Sequence, residues 1–214
     1  MGKKIIKEIR EVASAVLDLI YPPPNKCIIC DADDFVGLCP LCKSKIKRVK
    51  NQDYILSYGY YGGILKDLIL SFKYDKSFIA AKVISELLLD LIYEEKINCD
   101  VICYVPMTKS SVKKRGFNQC EVIAKYLSRE LDIPVSNSII KVKNTKEQKS
   151  LSKEERARNI KGAFKIKENY ISNKRILLID DIVTTGATLL ECKSILENYD
   201  VKEINILTIA KSHI

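Results

Sequence analysis

The stretch Arg175-Ile176-Leu177-Leu178-Ile179-Asp180-Asp181-Ile182-Val183-Thr184-Thr185-Gly186-Ala187-Thr188 decides the fold of this chain. Ile176 to Ile179 form an unbroken apolar run. A short run of that kind reads as a strand covered on both faces, as in a parallel sheet. It ends in two carboxylates, Asp180 and Asp181, which places them at the strand's carboxyl end, where open α/β sheets bind their ligands. Thr184, Thr185, Gly186 and Thr188 follow, just before a helix-like segment from Leu189 to Asn198. Small residues and hydroxyls at a helix amino terminus make a cradle for phosphate, because backbone N–H groups point at it and the helix dipole favours negative charge. A P-loop protein could also end a strand in acids, but no G-x-x-x-x-G-K-[ST] occurs in the chain. Two surface aspartates capping a helix would leave the apolar run and the threonines unexplained.

Apolar strand, acidic pair and Thr-Thr-Gly-x-Thr together resemble the signature of type I phosphoribosyltransferases, which bind phosphoribosyl pyrophosphate. The resemblance implies that Asp180 and Asp181 hydrogen-bond the ribose 2′- and 3′-hydroxyls, and that Thr184, Thr185, Gly186, Ala187 and Thr188 wrap the 5′-phosphate. A second buried strand, Val101 to Val105, ends at Pro106-Met107-Thr108-Lys109, and the chain then passes through Ser110 to Gln119 into a helix from about Cys120 to Leu131. On the same resemblance this is the pyrophosphate side. Thr108 and Lys109 stand in the loop that supplies backbone amides and a charge, and Arg115 reaches the phosphates. Lys109, Arg115, Asp180 and Asp181 are then the catalytic candidates, with Mg²⁺ accompanying the ligand. Several purine transferases carry an acid where this chain has Thr184, so one obvious general acid/base is missing. The only histidine, His213, lies at the carboxyl end, where a tail residue is expected to be solvated.

Nearer the amino terminus, Cys27-x-x-Cys30 and Cys39-x-x-Cys42 stand close together. Two such pairs make a Cys₄ tetrahedral zinc site, closed and therefore structural. A redox pair is the alternative, but thioredoxin-like motifs need one C-x-x-C. The segment is too small to bury a core, so the metal is expected to supply its folding energy. Before it, Ile5, Ile6, Ile9, Val12, Ala13, Val16, Leu17 and Ile20 recur at helical spacing opposite Lys3, Lys4, Lys7 and Arg10, and Pro22-Pro23-Pro24 stops the pattern. This amphipathic helix either packs on its own domain or docks on a membrane surface or a partner. The expected organisation is a helix over residues 1–22, a zinc finger over 23–50 and an α/β domain over 51–214, whose fold class is the Rossmann-like parallel sheet of type I phosphoribosyltransferases.

Tyr54 to Tyr61 reads as a strand, followed by helices from Ile64 to Tyr74 and from about Ser77 to Glu94. Tyrosines beside Lys66, Lys73 and Lys76 either pack on the helix or stack nucleobases. After a short strand from Ile139 to Val142, the segment from Lys143 to Lys161 is polar and without apolar periodicity. Ser152 and Glu155 within it form a capping box for a helix starting at Lys153. Placed between the two ligand-binding strands, it looks like a lid. A last strand runs from Val201 to Ala210. Cys99, Cys103, Cys120 and Cys192 read as core fillers.

Of the 214 residues, 36 are Lys or Arg and 27 Asp or Glu, a formal net charge of +9 that favours anionic partners. No run of about 18 apolar residues predicts a membrane span, and the charge-interrupted amino terminus does not read as a signal peptide. With cysteines paired as C-x-x-C and nothing directing the chain outward, a reduced cytoplasmic protein is expected.

The zinc knuckles, Arg115-Gly116-Phe117-Asn118-Gln119, Gln148-x-x-Leu151-Ser152, Arg156-x-x-Asn159-x-x-Gly162-Ala163-Phe164 and the Asp180 to Thr188 loop occur here in one order. That arrangement resembles the ComF family over almost the whole chain. The resemblance implies a zinc finger joined to a phosphoribosyltransferase-like domain, and a role in natural competence, bringing single-stranded DNA into the cytoplasm with a competence helicase or other uptake proteins as partners. The basic residues Lys113, Lys114, Arg115, Lys149 and Arg156 are the candidates for holding the strand by its phosphates. The competing expectation is an enzyme that transfers a phosphoribosyl group to a nitrogen nucleophile.

Overall fold

The computed structural model describes residues 25–143, 145, 153–167 and 171–212, with the backbone alone at 153, 154, 156 and 157. The amino-terminal helix, Lys149, Ser152 and His213 lie outside the described residues. The chain divides into two compact units, one ending at Ser44 and one beginning at Lys45.

The first unit is a knuckle pair. The Cys27 carbonyl accepts the Asp31 N–H at 2.9 Å, and the Cys27 N–H reaches the Ala32 carbonyl at 2.9 Å. Asp31 and Asp34 take up left-handed backbone to close these turns. A short helix, α1 (Pro40–Ser44), starts inside the second C-x-x-C. Pro40 opens it, where a missing N–H costs nothing.

In the second unit the strands β1 (Ile55–Tyr60), β2 (Val101–Tyr104), β3 (Val135–Ser136), β6 (Arg175–Val183) and β7 (Glu203–Lys211) form one sheet in the order β1-β7-β6-β2-β3. Every neighbouring pair is parallel. The helices are α2 (Gly63–Tyr74), α3 (Phe78–Glu94), α4 (Lys109–Arg115), α5 (Gln119–Leu131), α6 (Lys153–Ile160) and α7 (Ala187–Glu197), and β4 (Ile139–Lys141) pairs antiparallel with β5 (Phe164–Ile166). The apolar run at β6 is covered on both faces. Ile176 and Leu178 join a core with Leu189, Cys192 and Leu196 of α7, while Leu177 and Ile179, pointing the other way, are equally buried. Cys99, Cys103, Cys120 and Cys192 are all buried. Lys45 to Lys50, expected with the finger, lie in the second unit: Arg48 bridges Gly59, its guanidinium stacks over Tyr58 at 4.1 Å, and it binds both Glu94 oxygens.

Two departures from the sequence reading shape the site. First, β6 does not stop at the acidic pair but runs through it to Val183. Pairing with β2 ends at Tyr104↔Ile179, whereas pairing with β7 continues to Val183↔Lys211. The β2 side of Asp180 to Val183 is therefore an open edge, and it lies where the connections after β2 and β6 part in opposite directions across the sheet. Second, the segment after β2 is not an open loop. The Thr108 Oγ1 accepts the Ser111 N–H at 3.1 Å, and Gly116 ends α4 in left-handed backbone at φ 94°. A residue with a Cβ is disfavoured in that conformation. Tight local capping makes a helix here, although the stretch has no buried residue and hence no apolar stripe to reveal it.

Candidate functional site

A cleft of about 600 Å³ opens at this switch point. One wall is β6 from Asp180 to Val183 with the Thr184 to Thr188 loop, and the other is the Val105 to Thr108 turn with one face of α4 and the start of α5. The loop is shaped by Gly186, whose φ of 75° suits glycine, and a Cβ there would meet Ile55 Cδ1 at 3.4 Å. The loop feeds α7, whose first N–H groups lack carbonyl partners within the helix. The Thr185 hydroxyl accepts from Ala187 N–H at 3.5 Å, so loop and helix start are joined.

The two aspartates have different surroundings. Asp181 is committed. Its Oδ2 accepts from Gln119 Nε2 at 2.9 Å and is paired with Lys73 Nζ at 2.5 Å, and its Oδ1 accepts the Ile182 N–H at 2.6 Å. Asp180 Oδ1 accepts the Asp181 N–H at 2.9 Å and the Cys120 thiol at 3.6 Å. Burial, and next the neighbouring Asp181 charge, push the Asp180 carboxyl up to about 7 from its ordinary 3.8. Burial beside the same acids pushes the Cys120 thiol well up, keeping it protonated as a donor. Gln119 Oε1 is buried with no hydrogen-bond partner among the described residues, leaving an unfilled acceptor next to Asp181.

Four cations line the same cleft, Lys73, Lys114, Arg115 and Lys141, and Lys73 is paired with Asp181. Lys141, on β4, donates to Thr145 at 2.9 Å and lies over the Phe164 ring. Burial lowers its pKa, and Cys192 and Asp180 partly oppose the shift.

Of the residues singled out from sequence, the cleft brings together Thr108, Arg115, Lys114, Asp180, Asp181 and Thr184 to Thr188. Lys109 begins α4 with its side chain exposed and is not part of the lining, and Lys113 is likewise exposed outside it. The Arg156 side chain lies outside what is described. Lys73 and Lys141 also line the cleft without having been singled out for it from sequence, and both left a signal. Lys73 follows Leu65, Ile69 and Phe72 on the buried stripe of α2, and Lys141 shares the inward face of β4 with Ile139. A lysine on a buried face usually has an acid to meet.

The Cys27, Cys30, Cys39 and Cys42 sulfurs lie within 4.8 Å of one another. A tetrahedral site with bonds of about 2.3 Å sets its sulfurs about 3.8 Å apart, and Cys30 and Cys39 stand at 3.7 Å. Cys39 N–H donates to Cys27 Sγ and Cys42 N–H to Cys39 Sγ, each at 3.4 Å. Burial opposes a charge on Cys27, but N–H groups of Cys39, Ile29 and Cys30 bring its thiol down to about 6. Burial first, then its neighbours' sulfurs, push Cys42 up to about 12. Such thiols lose their protons together only to a cation, so the donor set fits a metal ion such as zinc.

The family described as phosphoribosyl transferase domain matches residues 117–213, from just before α5 through the acidic pair and the loop that leads into α7. Competence protein F of Haemophilus influenzae is 32% identical over 179 residues, covering 80% of this chain and 78% of that protein. Competence protein ComFC of Streptococcus pneumoniae is 28% identical over 211 residues, covering 90% and 91%. DNA utilization protein YhgH of Escherichia coli is 32% identical over 142 residues, covering 64% and 62%. The chain belongs to the competence protein F (ComF) family.

Proposed function

We propose that the cleft binds phosphoribosyl pyrophosphate with Mg²⁺, and that the protein uses this site while handling single-stranded DNA in the cytoplasm during uptake. The observation that carries the reading is the meeting, in one cleft, of an acidic pair, a hydroxyl-rich cradle at the start of α7 and four cationic side chains. Each part suits one part of the ligand. Carboxylates accept from vicinal hydroxyls. The cradle donates to the 5′-phosphate dianion. Lys114 and Arg115, across the cleft from the cradle, offer charge to the pyrophosphate. Asp180 is the better-placed acceptor, because Asp181 already answers to Lys73 and Gln119. The unpartnered Gln119 Oε1 adds an acceptor that a ligand hydroxyl or water can fill. Mg²⁺ takes oxygen ligands and travels with substrate phosphates, neutralising their charge. In the first unit the four thiolates hold structural zinc.

The relatives carry names for competence and for DNA utilization, and this chain's charge of +9 suits a nucleic-acid partner. Phosphate contacts from about four to six basic residues, Lys113, Lys114 and Arg115 among them, give a salt slope near −3 to −4 on single strands, at roughly 0.7 per contact.

Calorimetric titration with phosphoribosyl pyrophosphate and Mg²⁺ tests the reading. Saturable binding to one site is expected, and folded protein giving no binding isotherm overturns it. Release of pyrophosphate in the presence of any member of a panel of nitrogenous bases would assign the cleft to a working transferase instead of a binding module.

A further inference from the structure

Beside the cleft mouth, the end of α2 and the start of α3 meet the end of α4. Phe117 is the hinge of this contact. Its ring stacks on the buried Phe72 at 5.2 Å and tilts against Phe78 at 5.8 Å. Phe78 is nevertheless 53% exposed and Tyr74, at the end of α2, 59% exposed. The Arg115 guanidinium lies 5.9 Å from the Tyr74 ring centroid, and Lys76 Nζ lies 4.0 Å from where a Cβ on Gly116 would stand. Two segments, 73–78 and 109–117, build the surface. Apart from Lys73, whose charge is taken by Asp181, they carry Lys76, Lys109, Lys113, Lys114 and Arg115 against one acid, Asp75.

Two large exposed rings, Phe78 backed by Phe117 and Tyr74 beside the Arg115 guanidinium, in a setting with that excess of positive charge, ask for a ligand that is both planar and polyanionic. A duplex offers phosphates but keeps its base faces stacked, whereas a single strand offers both. An acidic peptide would satisfy the charge and leave the rings in water. We propose that Phe78, backed by Phe117, and Tyr74, bordered by Arg115, form with Lys76 beside them a stacking platform for the bases of single-stranded nucleic acid. The platform rests on the DNA-handling role proposed above and goes beyond it: phosphate contacts alone assign no place to a base, and the structure decides in favour of exposure for Tyr74, one of the tyrosines that could either pack or stack. Arg115 belongs to both places: it lines the cleft and lies over the Tyr74 ring.

The test is fluorescence anisotropy of a labelled oligodeoxythymidylate with the full chain, against an abasic strand of the same length and charge. The base-bearing strand is expected to bind about tenfold tighter for each base stacked. Tyr74→Leu with Phe78→Leu brings its affinity down towards that of the abasic strand and leaves the salt slope unchanged, while Tyr74→Phe keeps the wild-type affinity. Binding of phosphoribosyl pyrophosphate by the leucine variant, measured by calorimetry, stays at the wild-type value and shows that the fold is intact. If the wild type binds both strands equally, or if the leucine variant binds the base-bearing strand as the wild type does, the platform is wrong and DNA handling rests on charge alone. If no strand binds, the DNA-handling role fails and the platform with it.

Discussion

The two units of this chain are held by different physics. In the first, the buried apolar side chains among the described residues are Cys27, Cys39 and Cys42, while Val36 and Leu41 are exposed. In the second, Ile176 to Ile179 are fully buried within a sheet covered on both faces, and the core reaches from Leu65 in α2 to Ile209 in β7. One unit is tied by four sulfurs, the other by area removed from water. The difference teaches where specificity resides. A Cys₄ site fixes a short loop pair with almost no demand on the intervening residues. A parallel sheet fixes its strand ends so closely that two acids and a hydroxyl-rich loop at a helix start can be set against each other.

The comparison breaks most visibly if the metal is removed. Structural zinc supplies about 10–16 kcal/mol to small metal-dependent folds, far more than any single side chain. Protein purified without added metal is expected to carry near-stoichiometric zinc by elemental analysis. Cys39→Ser should lose it, and the segment around Cys27 to Cys42 should become open to proteolysis while the sheet unit keeps its melting transition. A metal-free protein whose finger resists protease would remove the distinction between the units.

The converse change acts on the other side. Leu178 is fully buried in β6, and Leu178→Ala is expected to cost about 2–5 kcal/mol by the lost transfer energy and the cavity left behind. Urea unfolding should show the loss, with zinc content unchanged. An equal loss of metal in this variant would show that the two units do not hold themselves together independently.

Within the second unit, the sharpest contrast lies between the acidic pair and its frame. Asp180→Asn with Asp181→Asn should abolish detectable binding of phosphoribosyl pyrophosphate, at about 1.5–3 kcal/mol for each charge-assisted bond lost. The fold should survive with a lowered melting temperature, because Lys73 loses its carboxylate partner, and a retained cooperative transition shows that the loss of binding is local. Wild-type affinity in the double variant would remove these residues from the site.

Much of this architecture was legible in the sequence, for reasons tied to particular residues. Ile176 to Ile179 carried much of their own answer, since a short unbroken apolar run rich in β-branched residues and ending in an acidic pair suits a strand covered on both faces. The spacing of Cys27, Cys30, Cys39 and Cys42 announced a four-sulfur cluster. Less legible were features made by local capping or by tertiary pairing. Helix α4 has no apolar stripe and is started by Thr108 and ended by Gly116. Strand β5, three residues long, exists through its pairing with β4. That Lys73 meets Asp181 across more than a hundred positions could not be read from spacing. The lysine's place on the buried stripe of α2 told only that some partner was needed.

The smallest expected effect concerns a single proton, and it separates Asp180 from Asp181. Burial and the Asp181 charge hold the Asp180 carboxyl near 7 in the folded protein, against an ordinary 3.8. A carboxyl raised in this way favours the folded state while protonated. Its contribution to stability is complete below about pH 4 and fades as pH rises through about 7. The proposed binding of phosphoribosyl pyrophosphate runs the other way, because a ribose hydroxyl would donate to the carboxylate. Below about pH 7 the site must release a proton to take the sugar, so affinity falls by up to tenfold for each pH unit, and above it the dependence flattens. Calorimetry between about pH 6 and about pH 8, in buffers of different ionisation enthalpy, counts the protons released on binding. The ligand's own phosphates also titrate near the lower end of that range, so the informative quantity is the difference between wild type and the single variant Asp180→Asn, which keeps a weakened site. The wild type should release more protons at the acidic end, approaching one more per ligand, and the difference should vanish towards about pH 8. Equal proton release by the two proteins would mean that Asp180 is already ionised in the free cleft. Its burial against Cys120 would then not control the sugar site.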